Sequence, residues 1–131
     1  MGQTPAEMAT TWMHQFDLTL QILEGGGDPS IYAHRRSNKQ LAHSVVMEGK
    51  HVDRFTPKQR ADYDSLLKWL VDHGVSIDDA RADLARWQAA AAAGPERYRA
   101  MMDAEVAARK ARAALKAAAR TVGEDTVEAG Q

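Results

Sequence analysis

Apolar and polar positions follow helical spacing over most of this chain, and the clearest stretch runs from Thr56 to Trp87. Tyr63, Leu66, Leu67, Leu70 and Val71 recur three and four residues apart, which places them on one helix face, while Lys58, Asp62, Asp64, Lys68 and Asp72 fall outside it. The start is over-determined: Thr56 is a good N-cap, Pro57 fits the first turn, and Gln59 completes a capping box. Gly74 supplies the left-handed residue that ends a helix, with Val75 placed to touch Leu70 across a Schellman turn. Ser76 then caps a second helix with Asp79 as its third residue, and Ile77, Ala80, Leu84, Trp87 and Ala91 form its inner face. The stretch therefore predicts two amphipathic helices joined at a glycine turn.

The same grammar extends outward with less definition. Thr4, Pro5 and Glu7 start a first helix, along which Met8, Trp12, Phe16, Leu20 and Leu23 climb at near-four spacing until Gly25, Gly26 and Gly27 stop it. Those glycines lack the preceding strand and the following Gly-Lys-Ser/Thr of a phosphate-cradling loop. Ser37 with Gln40 reads as another capping box for a helix through Leu41, Ala42, Val45 and Val46 to Gly49. Residues 44–55 also admit a β-hairpin; the explicit cap at Ser37 favours helix. After Gly94 and Pro95 break the fourth helix, Met101, Ala108, Leu115 and Val122 recur seven apart, with Ala104, Ala111 and Ala118 between them. That is a thin apolar seam on a long Ala-rich helix.

The expectation is an all-α fold, a small single-domain bundle of four to five helices with a long Ala-rich C-terminal helix. Residues 1–93 form the helical core, with helices at about 5–24, 38–48, 57–73 and 77–93; residues 94–122 form the basic Ala-rich helix, and residues 123–131 a disordered acidic tail.

Composition narrows the chemistry. The 131 residues suit one domain with a single core, and the absence of cysteine removes disulfides, thiolate catalysis and Cys-ligated zinc. The N-terminal residues carry no basic leader and no apolar run of membrane-spanning length, so the expected location is cytoplasmic, without membrane contact. The net charge of −1 hides alternating blocks: residues 1–33 are acidic, and 34–60, with Arg35, Arg36, Lys39, Lys50, Arg54, Lys58 and Arg60, are basic. The central helices are acidic again; residues 96–120 are basic through Arg97, Arg99, Arg109, Lys110, Arg112, Lys116 and Arg120, and the tail is acidic.

Acid-base or metal chemistry has only scattered material: His14 with Asp17, Asp72 with His73, and His34, His43 and His51 at spacings that miss helical zinc-ligand geometry. No catalytic residue, cofactor or metal is expected. Trp69 falls beside the stripe of its helix and is a candidate contact residue. The expected function is a non-catalytic protein–protein interaction protein, an adaptor, inhibitor or assembly component. Trp69, Met101, Ala108, Leu115 and Val122 are its candidate partner-binding residues, and self-association through the C-terminal helix would make it a homo-oligomer. The alternative is a small nucleic-acid-binding regulator with a helix-turn-helix-like core, using Arg35, Arg36, Lys39, Arg109, Arg112, Lys116 and Arg120. Against it, the second helix of the central pair opens with Asp78 and Asp79 and adds Asp83, carboxylates that repel DNA where a reading helix needs donors.

Overall fold

A computed structural model describes residues 4–11, 14–33 and 36–129, with side chains as far as Thr121. Among the described residues the fold is all-helical, with no strand: α1 Pro5–Thr11, α2 Phe16–Glu24, α3 Leu41–Glu48, a 3₁₀ segment Gly49–Arg54, α4 Pro57–Asp72, α5 Ile77–Ala93 and α6 Pro95–Ala129. No helix among them is long and apolar enough to cross a membrane.

The stretch from Thr56 to Trp87 folds by its signals. The Thr56 hydroxyl accepts from the Gln59 N–H at 3.1 Å and the Gln59 side chain accepts from the Thr56 N–H at 2.9 Å, closing the capping box. At the other end Gly74 has φ +82°, its N–H donates to Val71 O at 3.1 Å, and the Val75 N–H donates to Leu70 O at 2.9 Å, which is the Schellman pair of bonds. The Ser76 hydroxyl then accepts from the Asp79 N–H at 3.1 Å. Tyr63, Leu66 and Leu70 are buried, whereas Val71, expected in the stripe, is 57% exposed, and Ala91 is exposed on α5. Val71 sits at the edge of the face, past the arc that its neighbours cover.

The central element is α3, in which the consecutive residues Leu41, Ala42, His43, Ser44 and Val45 are all buried. A helix covered on every side has neighbours all round. Here α1 and α5 pack along it, and α4 joins it where the Tyr63 hydroxyl donates to Val45 O at 2.8 Å. Phe16 and Leu23 from α2, Leu66 and Leu70 from α4, and Ile77 and Ala80 from α5 complete one dry core with Leu41 and Val45. The hairpin reading of residues 44–55 is replaced by helix and 3₁₀ turn. Gly49, at φ −58° and ψ −20°, continues the helical path rather than ending it, and its lack of a Cβ, which would stand 2.6 Å from the Tyr63 hydroxyl, lets that side chain pack against it.

Three expectations are corrected. The single helix over residues 5–24 is two helices, since His14 takes φ +48° and α1 folds back against α2. That packing runs through small residues: the Thr10 and Thr19 hydroxyls share a buried hydrogen bond of 2.9 Å, and the Thr10 hydroxyl also donates to Ala6 O at 2.9 Å. Ala6, Glu7, Ala9 and Thr10 are therefore the buried residues of α1, and Met8 is 50% exposed; Trp12 and Met13, also placed in the expected stripe, lie outside the described residues. Second, α3 starts at Leu41, with Gln40 rather than Ser37 at its N-cap; the Ser37 hydroxyl instead accepts from the Lys39 N–H in a local turn at 3.1 Å. Third, α6 continues through Gly123 to Ala129 where a disordered tail was expected. One glycine costs a helix about 1 kcal/mol, which the alanine-rich turns before it tolerate.

Candidate functional site

Gly94, at φ +132°, and Pro95 turn the chain so that α6 lies back along α5. Their contact is a second, smaller core of Trp87, Met102 and Val106 flanked by Leu84, Tyr98 and Met101. The buried face of α6 is thus one position away from the seven-residue seam: Met101 is half-buried, and Ala108 and Leu115 are exposed. Val122 lies outside the described side chains.

Polar groups clasp the rim of this core. Glu105 accepts from the Trp87 indole N–H at 2.8 Å and from Arg86 Nε at 2.6 Å, and Arg86 Nη2 also donates to Asp83 Oδ1 at 2.9 Å. The Asp83 carboxylate first, then Glu105, holds the Arg86 guanidinium further into its charged form. The other Asp83 oxygen accepts from His43 Nε2 at 2.9 Å, while His43 Nδ1 accepts from the Gln40 N–H at 2.9 Å. The neutral Nε2–H tautomer alone satisfies both bonds. His43 also stacks on Trp87, with ring centroids 4.7 Å apart, so one imidazole joins the dry core, the α5–α6 clasp and the start of α3. A general base needs a ring nitrogen turned to substrate, and here both are engaged within the fold.

A third wall comes from the loop before α3. Arg109 Nη1 donates to Ser37 O at 2.9 Å, and its guanidinium lies 3.8 Å from the centroid of the Tyr32 ring. Loop, α5 and α6 enclose a half-open cleft of about 330 Å³ lined by Tyr32, Asn38, Arg86, Trp87, Glu105 and Arg112, among others. A neighbouring cleft of about 350 Å³ lies beyond the His43–Asp83 pair, against Ala80, Val75 and Pro29.

The residues singled out from sequence are distributed unevenly about this site. Arg109 joins the two basic blocks by reaching the 36–40 loop, and Arg112 stands one turn further along the cleft. Arg36 is exposed, Lys39 is half-buried, and Lys116 and Arg120 are exposed further out on α6. Arg35 and His34 lie outside the described residues. Trp69 is half-buried against the dry core and stacks on His73 with centroids 3.7 Å apart, and His73 Nδ1 donates to Trp69 O at 2.8 Å. His14 lies 2.7 Å from Glu48, not against Asp17, which faces Lys58 at 3.3 Å; Asp72 pairs with Lys68 at 2.7 Å. Among the described residues no three His, Asp or Glu side chains are grouped to hold a metal ion.

Sequence reasoning missed Glu105, Asp83 and His43 as partners. His43 and Asp83 are 40 residues apart, so no spacing rule links them. The available signal was Glu105 between Met101 and Val106, a carboxylate at the edge of an apolar face with a tryptophan on the preceding helix. Comparison with known protein families, with curated proteins and with solved structures finds no match for this chain.

Proposed function

We propose that this chain is a non-catalytic interaction protein, an adaptor, inhibitor or assembly component, whose contact element is the outer part of α6. The observation that carries the reading is that every residue from Lys110 to Thr121 is exposed, including Leu115 at 71%, so Ala111, Leu115 and Ala118 of the seam are left uncovered by the described fold. A long exposed helix with a repeating apolar line is a helix-pairing surface. A second copy of the chain is the partner that charge favours. The run from Lys110 to Arg120 is basic, and Glu124, Asp125 and Glu128 follow it on the same helix. Antiparallel pairing sets opposite signs side by side, and parallel pairing sets like against like.

The regulator reading has less to support it. Arg109, its nearest basic residue to the core, already bonds Ser37 O and stacks on Tyr32, and Asp78 and Asp79 remain at the start of α5. Sedimentation of the full chain and of Leu115→Glu tests the proposal. A concentration-dependent dimer that becomes a monomer in the variant is the expected result. Monomers throughout, with DNA binding that falls steeply with salt and is lost on changing Arg112, Lys116 and Arg120 to Gln, would replace it with the regulator.

A further inference from the structure

We propose that the cleft between the 32–40 loop and the α5–α6 clasp binds a small oxyanion ligand: a phosphate or carboxylate at one end, and a hydroxyl or amino donor at the other. The cleft meets the helix-pairing surface at Ala108 and Arg112 but does not need a paired helix to form, since its other walls are the loop and α5. Charge gives the sign. Of the groups lining the cleft, three guanidiniums face two carboxylates. Both carboxylates are spent, Asp83 on His43 and Arg86, and Glu105 on Arg86 and Trp87. Arg112 lines the same cleft, and no acceptor among the described residues pairs with it. The lining keeps one net positive charge, to which Arg112 contributes at the cleft and Arg109, held in place one turn before it by the neutral Ser37 O and Tyr32 ring, contributes beside it. A planar guanidinium presents paired donors to either oxyanion.

The opposite wall supplies the second requirement. Asn38 Oδ1 is buried and accepts no hydrogen bond among the described residues, although Asn38 lines the cleft. An orphaned buried acceptor is costly, and a turn of the Asn38 side chain towards the cleft would let a ligand hydroxyl or amine satisfy it. A volume of about 330 Å³ suits a metabolite of sugar-phosphate size rather than a peptide or a nucleic acid strand. Trp87 lines the same cleft, and its indole N–H, which donates to Glu105, is a reporter built into the wall.

The test is an NMR titration of the full chain, reading the Trp87 indole N–H, which a Trp87→Phe variant identifies. The probes are ribose 5-phosphate, gluconate, uncharged ribose, and sodium chloride at matched ionic strength. The expected result is a saturable shift with ribose 5-phosphate, gluconate or both, and none with ribose or chloride; which oxyanion saturates assigns the class. Arg112→Gln should weaken binding at least tenfold and Asn38→Ala severalfold, while the ligand-free Trp87 signal stays where it is in the wild type. A shift no larger than that of matched chloride, equal binding of ribose, or undiminished affinity in Arg112→Gln overturns the proposal.

Discussion

Two helical hairpins share α5, and they are built in opposite ways. The α4–α5 turn has a capping box before it, a Schellman glycine within it and a serine cap after it, yet α4 and α5 touch little beyond the turn: α4 packs on α2, and α5 on α3. The α5–α6 turn has only Gly94 and Pro95, yet its helices pack along each other and are fastened by Glu105. Capping residues decide where a helix starts and stops, and the side chains along its length decide what it lies against. The more explicit turn joins the two helices that need each other less.

Truncating the shared dry core should have the largest effect. Leu70→Ala removes a fully buried side chain that also anchors the Val75 turn, and should cost about 2 to 5 kcal/mol. An unchanged denaturation midpoint would mean that α4 does not depend on this core.

Next come two glutamates of opposite character. Glu105 has donors on both oxygens at 21% side-chain exposure, whereas Glu7 on α1 is 0% exposed and neither of its oxygens has a hydrogen-bond partner among the described residues. Glu105→Leu should destabilise by about 1 to 3 kcal/mol, since it strands the Trp87 N–H; Glu7→Leu should stabilise by a comparable amount, since it removes an orphan. Thermal or urea unfolding of the two variants checks the opposed signs. Burial also raises the Glu7 pKa above its ordinary value of 4.5, against the pull of Lys39. The folded state then holds the proton where the unfolded chain releases it, so the Glu7 contribution to stability falls as pH rises from 4.5 through the raised folded value. Glu7→Gln should flatten that slope, and unfolding curves collected across this window read it directly.

The turns themselves give the smallest effect. Gly74 and Gly94 both have positive φ and open space around a would-be Cβ, so strain alone sets the cost: about 1 to 2 kcal/mol for Gly74→Ala, and about 1 to 3 kcal/mol for Gly94→Ala, whose φ +132° and ψ 154° lie in a region that essentially only glycine enters. A much larger loss at Gly94 would show that the α5–α6 packing depends on its turn after all.

Local chemistry made much of this legible. The Thr56 box, the Gly74 turn, the Ser76 cap and the break at Gly94 are contacts within a few residues, and sequence spacing encodes such contacts directly. The missed features are contacts over distance. No glycine or proline marks the break between α1 and α2, which is held by the Thr10–Thr19 hydrogen bond and by alanines packed at close range. Arg109 joins the loop through a backbone carbonyl 72 residues away, which no side-chain pattern announces. The seven-residue spacing is a property of the sequence, whereas the burial on α6 follows Met102 and Val106, because Trp87 and Leu84 pack with them.

From Lys110 to Thr121 α6 runs roughly 18 Å with no buried residue, at 1.5 Å per residue. Nothing among the described residues couples its hydrogen bonds to the dry core, so this stretch obeys helix–coil statistics rather than the cooperative unfolding of the bundle. Its turns unwind one after another from the outer end inward, each opening at little cost, while the α4–α5 turn opens only when the whole core does. Amide exchange along α6 should therefore fall as a ramp towards Arg109 instead of a step. Any partner that sheathes the helix turns that ramp into a plateau, so the slope of protection records how far along the helix the partner reaches.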